Sequence, residues 1–179
     1  MKHIPLIIAL FFFFGMDQLN AQRYGTAMGI RMGTDWGLTV QQRLSKRITF
    51  EGIAQSSLQR EEVLLTGLIQ KHNPILGRRL NLYLGGGLHK GWINEPADQE
   101  GVLAPEDPFG VTLVGGVEFS LGRINIGYDF KPAINIRGGE RTFYTQSGIS
   151  VRYVLIKDKQ WRNQQRKKKR ERRRKRRRR

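Results

Sequence analysis

The chain has 179 residues and no cysteine, which excludes disulfides, thiol catalysis, cysteine-bound zinc and lipidation at an N-terminal cysteine. Its formal net charge of +17 is concentrated at the C-terminus, where residues 157–179 hold 16 Lys or Arg and two acids. Residues 22–156 hold 15 basic and 12 acidic residues, so this part is nearly balanced and the tail carries the excess.

The first 21 residues have the pattern of a secretory signal peptide. Lys2 precedes an apolar run of 11 residues from Ile4 to Phe14, and a small residue precedes the predicted cut before Gln22. The run is shorter than the ~20 residues that a membrane-spanning helix needs. We therefore predict that residues 1–21 are removed. A helical membrane protein is excluded, because no later segment has the required apolar length.

Eight later segments alternate bulky apolar residues with Gly or polar residues, which is the pattern of strands with one apolar face. They lie near 24–33, 36–44, 47–56, 61–72, 79–91, 109–120, 124–131 and 143–155. In the fourth segment the alternation is blurred and does not assign the two faces. Loops are expected over 73–78, 92–108 and 132–141. Eight amphipathic strands suffice to close a transmembrane barrel.

A secreted soluble barrel binding a small apolar ligand would alternate in the same way, with its apolar face turned inward. Three features favour the membrane. Glycines concentrate on the polar face, where a narrow lumen needs small side chains. That face also carries charges expected to pair inside the lumen: Arg31, Arg43, Glu51, Glu118, Asp129, Lys131 and Arg152. Aromatic residues fall near two rims, as in outer-membrane barrels: Trp36, Trp92, Phe109, Phe130 and Phe143 outside, and Tyr24, Phe50, Phe119 and Tyr153 inside.

Three motifs in the second half resemble those of small outer-membrane barrel proteins common in Bacteroidetes, which are generally like the OmpX and OmpA-barrel type. Residues 82–87 (LYLGGG) resemble a "YYGxGxH" strand, 129–135 (DFKPAIN) resemble "DWKPAFN", and 148–153 (GISVRY) resemble a closing "GLSIRYTF" strand. The likeness covers most of 24–155. It implies the fold and the location but no chemistry, and it does not extend to the tail.

Neither of the two histidines after the signal peptide is predicted to be catalytic. Some outer-membrane barrels modify lipids with a His-Ser pair and a carboxylate, but no Ser lies beside His72 or His89 in a nucleophile motif. We read both as members of polar networks in the lumen or at its rim. No cofactor and no metal site are expected. A narrow pore for small solutes stays open as an alternative, although side chains nearly fill an eight-stranded interior.

Two charged features are predicted to have structural roles, a lumen network and an acidic loop. Asp129 and Lys131 are expected to form a charge network in the lumen with Arg152 of the neighbouring strand. The acidic residues of the long outer loop lack the spacing of an EF-hand, so we read them as a solvated surface, with a divalent cation or a basic partner as alternatives. They are Glu95, Asp98, Glu100, Glu106 and Asp107.

Residues 157–179 are predicted to be a disordered tail on the periplasmic side, because like charges repel and apolar residues are few. The basic run includes Arg166, Lys167, Lys168, Lys169, Arg170, Arg172, Arg173 and Arg174. Such runs neutralise phosphates, but a nucleic-acid partner is not expected behind a signal peptide and an outer-membrane barrel. We hypothesise binding to anionic phospholipid headgroups or to acidic groups of peptidoglycan. An extension with no selected role is the alternative.

The sequence thus predicts an all-β protein, an eight-stranded antiparallel transmembrane β-barrel with a disordered polybasic tail. The expected parts are a signal peptide (1–21), an outer-membrane barrel (22–156) and the tail (157–179). The expected role is non-enzymatic, either structural in the envelope or in surface interaction. A pore and a lipid-modifying enzyme are the alternatives. The sequence identifies no protein partner.

Overall fold

The computed structural model describes residues 24–57, 62–76, 79–93, 106–139 and 141–157, together with 159–161, 163, 165–166 and 170–171 of the tail. The predicted signal peptide lies outside these residues. Eight antiparallel strands, each paired with the next and the last with the first, close a barrel, which confirms the predicted fold. The strands are β1 (Tyr24–Gly33), β2 (Asp35–Arg43), β3 (Ile48–Ser57), β4 (Glu62–Leu76), β5 (Leu80–Ile93), β6 (Phe109–Leu121), β7 (Ile124–Arg137) and β8 (Phe143–Lys157).

The apolar faces of the strands point out of the barrel and the polar faces point in. Tyr128 is 54% exposed on the outside of β7, whereas its neighbour Asp129 is 2% exposed in the lumen. A soluble barrel would have the reverse arrangement, so the soluble alternative is wrong. An apolar outer surface on a closed barrel matches a bilayer, because all backbone groups are paired between strands. Within the described residues, no helix is long and apolar enough to cross a membrane.

The two ends of the barrel differ in their connections. One end, here called the turn end, carries the start of β1, the end of β8 and the short connections 44–47, 77–79 and 122–123. Gly122 adopts a φ of 61° in the tightest of these turns, a conformation that L side chains rarely adopt. The other end, here called the loop end, carries Thr34 and the connections 58–61, 94–108 and 138–142.

A bulge near the start of β1 reverses the predicted position of Tyr24. The register of β1 on β8 shifts twice between Tyr24 and Ala27. One extra residue in a strand turns the side chains before it to the opposite face. Tyr24 is therefore fully buried in the lumen and does not belong to the inner aromatic rim.

Two strands run further than the sequence pattern indicated. β7 continues through the predicted loop to Arg137, because Ile134 and Ile136 extend the outward apolar face. Phe130 consequently lies mid-strand and not at the outer rim. β4 continues to Leu76 through Pro74, where a shift in register accommodates the proline.

The faces of β4 are blurred in sequence because this strand has leucines on both sides. Leu64 and Leu68 are buried inside the barrel, whereas Leu65 is 52% exposed on the outside. The inward Leu68 joins Ile53, Tyr83 and Val114 in an apolar cluster within the lumen. The barrel interior is thus apolar along part of the β3–β6 wall and charged elsewhere.

Candidate functional site

The lumen is the part of the molecule where polar chemistry is concentrated. All seven charged residues predicted to face inward lie there, and each is no more than 2% exposed: Arg31, Arg43, Glu51, Glu118, Asp129, Lys131 and Arg152. Charges buried this completely must be paired or bonded, because removing an isolated ion from water is very costly. Most of their partners come from distant strands, so the network ties opposite walls of the barrel together.

Glu51 is the centre of the largest cluster. Its carboxylate pairs with Arg152, with Nη2 and Oε1 2.5 Å apart. It also accepts hydrogen bonds from the Thr39 hydroxyl, at 2.5 Å, and from the Gln70 amide. Arg152 Nη1 donates to Asn125 Oδ1 at 3.3 Å. The cluster therefore joins β2, β3, β4, β7 and β8 around one ion pair.

A second ion pair involves Asp129, which was expected to share a network with Lys131 and Arg152. Arg31 Nη1 is 2.6 Å from Asp129 Oδ2, which also accepts a hydrogen bond from the Tyr83 hydroxyl at 3.1 Å. Asp129 lies opposite Gly148 in the β7–β8 register, and Arg152 lies opposite Asn125. Asp129 and Arg152 both lie in the lumen, but each pairs with another charge because four residues of register separate them.

Lys131 lies in the lumen as predicted and joins the polar network through an amide. Its Nζ donates to Gln55 Oε1 at 2.9 Å, and Gln55 Nε2 donates to Asp35 Oδ2 at 2.9 Å. Gln146 Nε2 donates to the same Asp35 oxygen at 2.5 Å. Asp35 was not predicted as a lumen residue, because the second predicted strand began at residue 36. Its position two residues before Gly37, which also faces inward, is the signal that could have identified it.

Near the turn end, Tyr24 and Glu118 are buried in the lumen and share a hydrogen bond. The Tyr24 hydroxyl lies 2.5 Å from Gln41 Oε1 and 2.6 Å from Glu118 Oε2. Asn81 Nδ2 donates to the other oxygen of the Glu118 carboxylate at 3.3 Å. Arg43 serves the adjoining turn, with Nε donating to the Ser45 carbonyl at 2.9 Å and Nη2 to that of Lys46 at 3.1 Å.

Both histidines are buried in the lumen. His72 stacks on Tyr83 with ring centroids 5.2 Å apart, and its Nδ1 is 3.9 Å from Glu118 Oε2. His89 lies nearer the loop end between the Thr112 hydroxyl, 2.7 Å from Nδ1, and Asn135 Oδ1, 2.8 Å from Nε2.

Thr112, His89 and Asn135 form a hydrogen-bonded chain like that of a nucleophile, a base and an orienting residue, but the Thr112 hydroxyl is buried in the lumen. Asn135 Nδ2 donates to the Arg141 carbonyl at 2.7 Å, which leaves Oδ1 to accept from His89 Nε2. Nδ1 then accepts from the Thr112 hydroxyl. Thr112 is only 2% exposed and faces the lumen, so a lipid substrate in the bilayer does not reach its oxygen. Across the part of the chain that the structure describes, no three His, Asp or Glu side chains form a metal site.

Two of the five acidic loop residues are described, and both bind back to the barrel. Glu106 pairs with Arg137, with Oε2 and Nε 3.0 Å apart, and the side chains are 63% and 75% exposed. The hydrogen bond from Arg137 lowers the pKa of the Glu106 carboxyl below its ordinary value of 4.5. Asp107 Oδ1 accepts a hydrogen bond from the Ile93 amide at 3.4 Å. The positions of Glu95, Asp98 and Glu100 lie outside the described residues.

The tail is described only in part. Disorder was expected from residue 157, but the described positions from 159 to 171 have helical backbone. Arg166 and Arg170 are among them and are exposed. The rest of the predicted basic run lies outside the described residues: Lys167, Lys168, Lys169, Arg172, Arg173 and Arg174.

The chain matches no protein-family profile and no curated protein. Among solved structures it is similar to the N-terminal β-barrel domain of OprF from Pseudomonas aeruginosa. The sequences are 13% identical, the TM-score is 0.58, and the match covers 74% of this chain and 98% of that domain. At this identity the similarity shows the fold alone, an eight-stranded barrel of outer-membrane type.

Two further structures match with lower TM-scores. Neisserial surface protein A is 9% identical with a TM-score of 0.49, covering 73% of this chain and 93% of that protein. The outer membrane protein OprG from Pseudomonas aeruginosa is 12% identical with a TM-score of 0.45, covering 78% and 97%.

Proposed function

We propose that this chain is a non-enzymatic outer-membrane protein whose closed barrel has a structural role in the envelope and presents its loops at the cell surface. The observation that carries this proposal is the filled lumen. The Glu51–Arg152 and Arg31–Asp129 pairs cross the interior, and every charged side chain in them is at most 2% exposed. An interior packed in this way leaves no continuous aqueous path beside these residues.

The proposed orientation places the turn end in the periplasm and the loop end outside the cell. Outer-membrane barrels have short periplasmic turns and longer extracellular loops, as these two ends do. The charges support the same assignment. Lys46, Arg47, Arg79 and Arg123 lie in the turns, whereas the long loop that contains Glu106 has acidic residues and no Lys or Arg.

Single-channel recording in planar bilayers tests the closed lumen. The purified, refolded protein is expected to give no sustained conductance, with a general porin as positive control and a detergent-only preparation as negative control. Migration of the protein in unboiled and boiled gel samples shows that the barrel is folded before each recording. Sustained, ion-selective conductance of the folded wild type would instead assign a pore.

We further propose that the basic tail tethers the barrel to anionic components of the envelope. Support comes from the topology, because β8 ends at the turn end and releases the tail among the basic turns. Each Lys or Arg near an anionic surface contributes about 1 kcal/mol of attraction, less at high salt. A co-sedimentation assay tests the tether. It compares the full chain with a variant ending at Lys157 for binding to anionic vesicles, neutral vesicles and peptidoglycan sacculi. Equal binding by both chains would contradict the tether.

A further inference from the structure

Trp161, four residues beyond the end of β8, packs against the turn end of the barrel. The Arg43 guanidinium carbon lies 4.7 Å from the centroid of the indole ring. On the other side, Gly25 provides the space for the indole: a Cβ at that position would be 2.6 Å from Trp161 Cβ and 2.9 Å from Cγ. The indole thus occupies a seat formed by a glycine of β1 and an arginine of β2.

The Arg43 side of this seat is rigid. Arg43 is 2% exposed, and its guanidinium donates to the carbonyls of Ser45 and Lys46 in the turn that follows β2. A guanidinium held by such hydrogen bonds keeps a fixed plane against which an aromatic ring can stack. Both of these hydrogen bonds, which orient the guanidinium, come from the barrel and not from the tail.

The seat also fixes the path of the tail. β8 ends at Lys157, which pairs with Tyr24 of β1, and the Lys157 amide donates to Gln160 Oε1 at 3.3 Å. At residue 161 the chain lies against Gly25 of β1, and the indole ring reaches Arg43 of β2. Because neighbouring strands are ~4.8 Å apart, the Trp161 side chain spans from the strand next to β8 to the one beyond it. The chain therefore turns towards β1 and does not continue straight away from the barrel.

A second contact marks the level of the headgroups at this end. Arg123 Nη1 donates to the Tyr153 hydroxyl at 2.8 Å, and Tyr153 lies on the lipid side of β8 with 49% of its surface exposed. Tyrosine with a neighbouring cation is typical of the membrane interface, where the ring is in lipid and the polar tip is at the headgroups. β8 continues for four residues beyond Tyr153, so the tail leaves the barrel on the periplasmic side of this proposed interface.

We propose that Trp161 seats the tail across the turn-end mouth and so presents its basic residues to anionic phospholipid headgroups around the barrel. This inference rests on the proposed tether and names its partner as lipid and not peptidoglycan. Described basic residues of the seated segment, Lys159, Arg166 and Arg170, are exposed. The basic turns lie at the same end of the barrel as the start of the tail.

The absence of cysteine allows the tail to be probed at a single position. The full-chain variant Asn163→Cys, substituted at an exposed helical residue, is labelled with a fluorophore and reconstituted into nanodiscs. Thr142→Cys, exposed at the loop end, is the matched control. Quenching by a headgroup-attached quencher is measured in phosphatidylcholine and in a phosphatidylcholine–phosphatidylglycerol mixture. The label at 163 is expected to be quenched strongly only in the mixture and to lose this at high salt, with the control unchanged.

Two variants test the seat. Trp161→Ala removes the ring, and Gly25→Val keeps the ring but fills its place, so both should reduce quenching at position 163. Both should also weaken binding to anionic vesicles by about tenfold, the equivalent of losing one or two basic contacts with an anionic surface. A shift in gel migration between unboiled and boiled samples identifies folded protein. If one variant does not fold, the other is sufficient for the test.

The outcomes separate this inference from the tether. Loss of lipid proximity in the folded variants supports the seat. The seat is overturned, and the tether proposal stands, if wild type and variants bind vesicles equally while the chain ending at Lys157 does not bind. Capture by sacculi without binding to anionic vesicles overturns lipid as the partner. Tail-independent binding to every surface overturns both proposals.

Discussion

Replacing Glu51 with alanine should destabilise the barrel strongly. The substitution leaves the Arg152 guanidinium, which is 1% exposed, without its carboxylate, and it removes the acceptor for Thr39 and Gln70. Removing one partner of a buried ion pair costs about 3–5 kcal/mol, because an uncompensated charge remains. With three hydrogen bonds to one carboxylate, we expect the free energy of unfolding to fall by an amount in that range.

An exposed pair supplies the matched control. Glu106 and Arg137 also form a carboxylate–guanidinium pair, but their side chains are 63% and 75% exposed. Such pairs contribute about 0–1 kcal/mol, so Glu106→Ala should leave stability almost unchanged. The double variant Glu51→Ala with Arg152→Ala should lose less stability than the sum of the single variants, because neither charge is left unpaired.

Urea unfolding in lipid vesicles, followed by the loss of the fast-migrating band in unboiled gel samples, measures these differences. The reasoning is refuted if Glu51→Ala and Arg152→Ala each lie within about 1 kcal/mol of Glu106→Ala, the range of exposed pairs. It is also refuted if the effects of the two single substitutions simply add. Either result would mean that water or a neighbouring side chain compensates the remaining charge.

Two further predictions concern crowding in the lumen and the acidic loop. Gly116→Ala should lower the unfolding free energy by about 1–3 kcal/mol, because the new Cβ would lie 2.7 Å from the Tyr83 ring. Gly115→Ala is the control on the lipid side, where the new Cβ meets only the end of a leucine side chain, and it should cost no more than about 0.5 kcal/mol. Similar losses for the two variants in urea titrations would contradict this prediction. Because the folded-state pKa of Glu106 is depressed, its contact with Arg137 should be complete above pH 4.5 and disappear as the pH falls through the lower folded value. The Arg137 Nε–H resonance in micelles should follow this transition and be insensitive to pH in Glu106→Gln.

The strands and their faces were predictable because a barrel wall has a strict period of two. The places where prediction failed are those where the period is broken or masked locally. A bulge near the start of β1 turns Tyr24 inward, and nothing in the residues around it signals the extra position. A loop was predicted from residue 132, but outward isoleucines at 134 and 136 continue β7. In β4, Leu64 and Leu68 face the lumen while Leu65 faces outward, so apolar residues on both faces mask the alternation.

The pairing of the lumen charges was less predictable than their direction. Alternation tells which way a side chain points, but the pairing depends on the register between strands, which is a property of the whole closed barrel. Arg152 was expected to share a charge network with Asp129 and Lys131 because the two strands are neighbours. The register separates Arg152 from Asp129, and the carboxylate that pairs with Arg152 is Glu51 on β3.

One rule nevertheless connects the long side chains of the lumen with the tail. Four large side chains lie against a glycine whose Cβ would come within 3.0 Å of them: Arg31 against Gly148, Arg152 against Gly127, Tyr83 against Gly116, and Trp161 against Gly25. At these positions a long side chain has room because an adjacent segment contributes none. An inward glycine can therefore mark the path of an arginine or a tyrosine on the neighbouring strand. The same relation at Gly25 extends this packing from the lumen to the start of the tail.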